Sequence, residues 1–209
     1  DVLKNRENSP YLNWFHINLG GNSNYNDGLW YEGWEGNYDL VKLNLQNEEV
    51  VQYLLESVRG WVDEFDIDGI RLDCANVLDF NFMKEMRSQT EAMKEDFWLM
   101  GEVIHGDYSR WVNNEMLHSV TNYELHKSLY SGFNDHNFFE IAHNVRRLEA
   151  IGRQLYTFVD NHDEDRIATK LKLREHLFPI YICLFTLPGI PSIYYGGEWG
   201  IEGKRTNTS

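Results

Sequence analysis

The sequence predicts an α/β protein built on a parallel sheet. Two observations predict it. Short apolar segments of strand length alternate with longer segments of helical periodicity. The apolar segments also end, on their C-terminal sides, in polar and acidic residues. About five such strands can be read, too few to close an eight-stranded barrel alone. By periodicity, part of a (β/α)8 barrel and a doubly wound sheet fit equally well. No Gly-rich phosphate loop follows any of the strands, which weakens a nucleotide-binding doubly wound sheet.

The elements follow in order. Residues 1–45 are rich in Gly, Asn, Tyr and Trp, as in NLGGNSNYNDGLWYEGWEGNYD, and predict a long, ordered loop region. Residues 46–209 predict the alternating strands and helices. In NEEVVQYLLESVRGWVDEF, the residues Val50, Tyr53, Leu54, Val58, Trp61 and Val62 recur at helical spacing, and Asn47 ahead of two glutamates is a helix start. DIDGIRLDCA and FWLMGE predict short strands, each ending near a carboxylate. HSVTNYEL is a weaker strand, with Tyr123 on it. LYTFVDNHD and IPSIYYGGE predict two more. Helices are expected over about 81–94, 138–151 and 174–185. The chain opens at Asp1 without a Met, so a segment of a longer protein is expected.

Composition narrows the function classes. The net charge is −14 and no basic run stands out, so nucleic acid and anionic membrane surfaces are disfavoured partners. No apolar run is long enough to cross a bilayer. Aromatics make up 14% of the chain, which suits stacking on sugar rings, although composition alone fits core and surface packing better. Cys74 and Cys183 lie in apolar segments outside any metal-binding spacing and read as buried thiols.

Three strand ends could do chemistry. Arg71 and Asp73 are two apart on a strand and face the same way. A guanidinium beside a carboxylate favours the ionised form that a nucleophile needs. Glu102 ends an apolar run, a setting that favours the protonated form of a general acid. VDNHDEDR brings Asp160, His162, Asp163 and Arg166 close in sequence. Adjacent side chains on an extended chain point opposite ways, which weakens a metal site at His162 and Asp163. Taken singly, these are equally an ion pair, a loop cap and a solvated charge run. Together they lie on successive strand ends, the rim that carries active sites in (β/α)8 barrels. Two carboxyls in different environments satisfy the division of labour of a retaining glycosidase.

The motifs DGIRLDCAN, GEVIH, FVDNHD and GIPSIYYGGEWG resemble, in order, the fourth, fifth, seventh and eighth strand segments of the α-amylase family of glycoside hydrolases. SPYLNWFHI, LVKLN, RLDCAN and HSVTNY are similar to the neopullulanase, cyclomaltodextrinase and maltogenic amylase subgroup. The resemblance implies a (β/α)8 TIM barrel, of which this chain supplies the excursion after the third strand (1–45) and the C-terminal part of the catalytic barrel (46–209), through the eighth strand. It implies that Asp73 is the nucleophile, Glu102 the acid and base, and Asp163 the stabiliser of the distorted sugar. It gives Arg71 the task of orienting Asp73 and His162 that of binding hydroxyls of the sugar in the −1 subsite. Trp30, with Tyr31 and Trp34, offers a stacking platform in the excursion or packs that loop, and Tyr123 borders the cleft or packs the core.

The implied activity is retaining cleavage of α-1,4 and some α-1,6 bonds in maltooligosaccharides, cyclodextrins or related α-glucans. Transglycosylation, or a non-catalytic binding domain, are the alternatives. Subgroup resemblance extends to a homodimer. The family's first three strands and C-terminal sheet domain are absent. Asn76 and Val77 stand where many α-amylases have Lys-His, and Val77 also departs from the subgroup's Glu. Lys42 stands where calcium-dependent members place Asp, so neither calcium nor any other cofactor is expected.

Overall fold

A computed structural model describes residues 1–205, which divide into two compact units. The first comprises Asp1–Asp68 and Leu78–Phe97; the second comprises Gly69–Val77 and the chain from Trp98 onward.

The first unit opens with a short helix, α1 (Val2–Asn5), and two small antiparallel ladders. Strand β1 (Ile17–Asn18) pairs with β2 (Trp30–Tyr31), and β3 (Gly33–Trp34) pairs with β4 (Asn37–Val41). The expected loop region is therefore partly laddered. Its Asn and Gly residues make the turns. A Cβ on Gly33 would lie 2.0 Å from the Asn37 carbonyl oxygen, so only glycine fits that approach. The amide groups of Asn44 and Asn47 both donate to the Asn13 carbonyl, at 3.2 and 2.9 Å.

Helix α2 (Glu48–Phe65) starts where expected, with Asn47 Oδ1 accepting from Glu49 N at 2.9 Å. Val50, Leu55 and Val58 are buried, whereas Tyr53 and Trp61, expected on the apolar face, are exposed. Helix α3 (Phe80–Met93) packs against α2 and is capped by Asp79. Lys94 ties the ends of these helices together, with Nζ 2.6 Å from Asp66 and 2.7 Å from Asp68. Lys42, which stands where calcium-dependent members place Asp, pairs with Glu32.

The second unit holds the parallel strands. Strand β5 (Gly69–Leu72) pairs with β6 (Trp98–Gly101), and β6 with β7 (Ser119–Val120). Strand β8 (Tyr156–Thr157) pairs with β9 (Ile190–Pro191). A parallel bridge from Thr121 to Tyr156 and a 2.8 Å bond from Asn122 N to Tyr156 O join the two sets. The order β5-β6-β7-β8-β9 follows the chain without reversal. A doubly wound sheet reverses at a switch point, whereas a barrel wall does not. The topology favours the barrel reading over the doubly wound one.

Helices α4 (Tyr123–Asp135), α5 (Phe139–Arg147), α6 (Ile167–Lys170) and α7 (Leu177–Thr186) complete this unit. Their core joins Leu125, Leu129 and Phe133 to Ile141, Ile167, Ile180 and Leu184. Helix α4 differs from expectation. Asn122 Oδ1 caps Leu125 N at 3.0 Å, so Tyr123 begins a helix and is not a strand residue. The last strand is only two residues long, and Tyr194 and Tyr195 lie beyond it. Cys74 and Cys183 are half-buried rather than buried, and neither is in a disulfide.

A partly buried polar cluster anchors the turn after β8. His126 stacks on Phe158, at 5.1 Å between centroids and 19° between planes. Its Nε2 lies 3.6 Å from Glu164 Oε2, and Lys170 pairs with the same carboxylate. The His126 hydrogen bond, reinforced by Lys170 and opposed by burial, lowers the Glu164 carboxyl from its usual 4.5 to about 2.

Two outcomes follow. Gly101 faces Leu117 and Ala75, where an added Cβ would lie 2.5 and 2.8 Å from their side-chain carbons. Gly101→Ala should cost about 1–3 kcal/mol by overpacking, read from denaturant unfolding at neutral pH; unchanged stability would mean these neighbours can retreat. Because folding depresses the Glu164 carboxyl, its stabilising contribution is present above its unfolded value and lost as pH falls from 4.5 toward 2. After allowance for partial solvent screening, the loss is on the order of 2 kcal/mol. Unfolding free energies at pH 6 and pH 3 should show a smaller acid-induced drop in Glu164→Gln than in the parent; equal drops would refute the assignment.

Candidate active site

The β5–β6 register carries past the strand ends and sets two carboxylates beside each other. Glu102 N donates to Leu72 O at 2.8 Å, continuing the ladder by one residue. Regular pairing would then send Cys74 N to the Glu102 main-chain oxygen. Instead Cys74 has a positive φ of 45°, and Ala75 N takes that oxygen at 2.8 Å. The released Cys74 N–H donates to Glu102 Oε2 at 3.1 Å. A departure from regular strand geometry thus supplies a main-chain donor to a side-chain carboxylate.

Arg71 forks between both acids. NH1 lies 3.3 Å from Asp73 Oδ1, and NH2 lies 3.1 Å from Glu102 Oε1. One carboxylate oxygen of each acid, together with the Cys74 sulfur, lies within 4.8 Å of the others. The environments differ sharply: the side chain of Asp73 is 76% exposed and that of Glu102 is 8% exposed. The apolar surroundings expected for Glu102 are replaced by a buried polar cradle. That trio is a possible cation site by spacing, but Arg71 already brings a positive charge to both carboxylates.

Tyr123 is buried and lies against Glu102. Its hydroxyl donates to Glu102 Oε1 at 3.4 Å and accepts from Asn161 Nδ2 at 3.1 Å. Burial, helped by the negative charges of Glu102, Asp163 and Glu164, pushes that hydroxyl up to about 12. Asn161 in turn accepts from Asp163 N at 2.9 Å. The third strand-end acid is therefore linked through hydrogen bonds to the first two.

Around Asp163 the chain turns rather than running extended. His162 and Asp163 consequently share a side, with Nε2 3.0 Å from Oδ2, contrary to the alternation expected for a strand. Arg205 also reaches this residue, donating to its carbonyl at 3.0 Å and lying 3.5 Å from Oδ1. Two other residues of the motif turn away from such a role. Asp160 is 1% exposed and accepts from Ile167 N at 2.9 Å, and burial raises its carboxyl. Arg166 donates to the Tyr195 carbonyl and stacks over Tyr194 at 4.0 Å.

Trp30 lies in the other unit, where it pairs with Asn18 and is 37% exposed. Sequence reasoning missed Asn161, Glu164 and Arg205. Apart from the short turn bond between Asp163 N and Asn161, their side-chain partners lie from 6 to 42 residues away along the chain, from Lys170 with Glu164 to Asp163 with Arg205, so no local spacing marks them.

Known proteins resemble this chain. The family described as Alpha amylase, catalytic domain, matches residues 4–209. The chain is 32% identical over 98% of its length to an intracellular maltogenic amylase of Bacillus subtilis. It is 34% identical over 98% to a maltogenic α-amylase of Bacillus acidopullulyticus, and 32% identical over 97% to a cyclomaltodextrinase of Thermoanaerobacter pseudethanolicus. It spans 35–37% of the length of these relatives. Among solved structures, the cyclic α-maltosyl-(1→6)-maltose hydrolase of Arthrobacter globiformis in complex with maltose superposes with a TM-score of 0.86 at 27% identity, covering 99% of this chain and 48% of that one. The family match over nearly the whole chain shows that the chain belongs to the α-amylase catalytic-domain family.

Proposed function

We propose that the chain carries the catalytic acids of a retaining glycosidase acting on α-glucans. The observation that carries this reading is the approach of Asp73 and Glu102 oxygens to within 4.8 Å. Retaining enzymes hold their two carboxyls about 5 Å apart, whereas inverting enzymes leave about 6.5–9.5 Å for a water. The names of the relatives, maltogenic amylase and cyclomaltodextrinase, support maltooligosaccharides and cyclodextrins as the substrate class.

In this reading the Asp73 carboxylate attacks the anomeric carbon while the glycosidic C–O bond breaks. Glu102 gives its proton to the departing oxygen. A covalent β-glycosyl-enzyme results. Water then attacks the same carbon, Glu102 takes its proton, and the bond to Asp73 breaks with the α configuration restored. Arg71 holds the Asp73 carboxylate in place through its 3.3 Å contact. Asp163 and His162 bind sugar hydroxyls as the ring flattens toward an oxocarbenium ion. Trp30 offers an exposed ring face in the 1–45 excursion on which a glucose unit can stack. The substrate linkages are α-1,4 with some α-1,6.

A second reading keeps the intermediate and changes the acceptor to a sugar. Added glucose separates the two; dominance of transfer products at modest glucose would name a transglycosylase.

In the protein that carries this chain, Glu102→Gln should lower kcat on maltohexaose by about 10²–10⁴ while calorimetry still detects binding. Unchanged turnover would overturn the assignment of the acid. Proton NMR of the first product should show the α anomer; a β anomer would overturn the double displacement.

A further inference from the structure

We propose that Tyr123 and Asn161 form a one-way hydrogen-bond relay that holds the acid Glu102 for proton delivery, and that Tyr123 acts through Glu102 rather than by contact with sugar. This rests on the reading of Glu102 as the acid.

The polarity of the relay is set at one end. A backbone N–H can only donate, so the Asp163 N–H requires the oxygen of the Asn161 amide, at 2.9 Å. The NH₂ group of Asn161 must then face Tyr123, at 3.1 Å. Having accepted there, the Tyr123 hydroxyl turns its single proton to Glu102 Oε1, at 3.4 Å. The single proton of Tyr123 is committed to Glu102 and the residue is 7% exposed, which leaves it no donor to offer a sugar.

The groups facing Glu102 come from each neighbouring element. Arg71 NH2, from β5, and Tyr123, from the start of α4, address Oε1. Cys74 N, from the segment after β5, addresses Oε2 alone. Asp73 lies within 4.8 Å and adds negative charge. Asp163 and Glu164 also bear on Tyr123. Two donors on Oε1 against one on Oε2 leave Oε2 as the better seat for the transferable proton. The relay thereby fixes which oxygen of the acid does the chemistry, and couples it to the main chain at Asp163.

The test uses leaving groups. Cleavage of a maltooligosaccharide needs a proton on the departing oxygen, whereas α-maltosyl fluoride needs little acid assistance. Tyr123→Phe should lower kcat/KM on maltohexaose about tenfold, the loss expected for one bond to a charged group, and leave kcat/KM on α-maltosyl fluoride nearly unaffected. The alkaline limb of kcat/KM on maltohexaose should move to higher pH, because a donor that favours the ionised acid has been removed. Asn161→Leu should reproduce both signatures, and the double variant should lose no more than about the larger single loss. Equal losses on both substrates would show that Tyr123 contacts the sugar, and would overturn the proposal. An unmoved alkaline limb with a uniform loss would overturn it too. If Glu102→Gln itself retains turnover, the reading of the acid fails; if that variant is inactive and Tyr123→Phe behaves as the parent, only the relay fails.

Discussion

The guanidinium of Arg71 sits between a buried carboxylate and an exposed one, and the arrangement of the site depends on that fork. Two carboxylates within 4.8 Å repel each other, and one of them is almost wholly removed from water. Without an opposite charge between them, the buried member would sit unpaired, a costly state in a protein interior. Arg71 can fill this place because it is on β5, two residues before Asp73 in the turn that follows, and because β6 is in register alongside. A planar fork can address two acids at once, whereas a lysine ammonium is a compact point charge without that planar geometry. The register of two four-residue strands and the side-chain choice at residue 71 are thus one constraint.

The strand-end acids themselves were legible in the sequence. Alternation of short apolar runs with helical periodicity gave the parallel sheet; Asp73 and Glu102 stand where two of those runs stop, and Asp163 lies in the turn beyond β8. The cap at Asn47 could be read because capping is local. Helix α4 could not. Its start at Tyr123 follows two residues of strand, and NYEL satisfies a strand pattern as well as a capped helix. The side-chain pattern of α2 was read only in part, since Tyr53 and Trp61 have helical spacing yet face outward.

What the sequence hid was mostly non-local polar pairing. Asn161 looks like any loop asparagine until Tyr123, 38 residues earlier, lies across from it. Glu164 is one charge in a charged run until His126 and Lys170 close on it. The carboxyl of Glu102 looked apolar in its surroundings because its cradle comes from Arg71, Cys74 and Tyr123, none of them its neighbours in the chain. Turn geometry was the other blind spot: His162 and Asp163 share a side only because the chain bends there.

The positive φ of Cys74 has a consequence for how this protein can change. A side chain in that backbone region carries a strain of order 1–3 kcal/mol, which glycine would relieve. Yet the same twist turns the Cys74 N–H onto Glu102, and a freer residue would hold that donor less firmly. Selection for a sturdier fold and selection for a well-held acid therefore pull residue 74 in opposite directions. The cysteine serves both acids at once, its backbone N–H on Glu102 and its thiol donating to Asp73 Oδ2 at 3.7 Å.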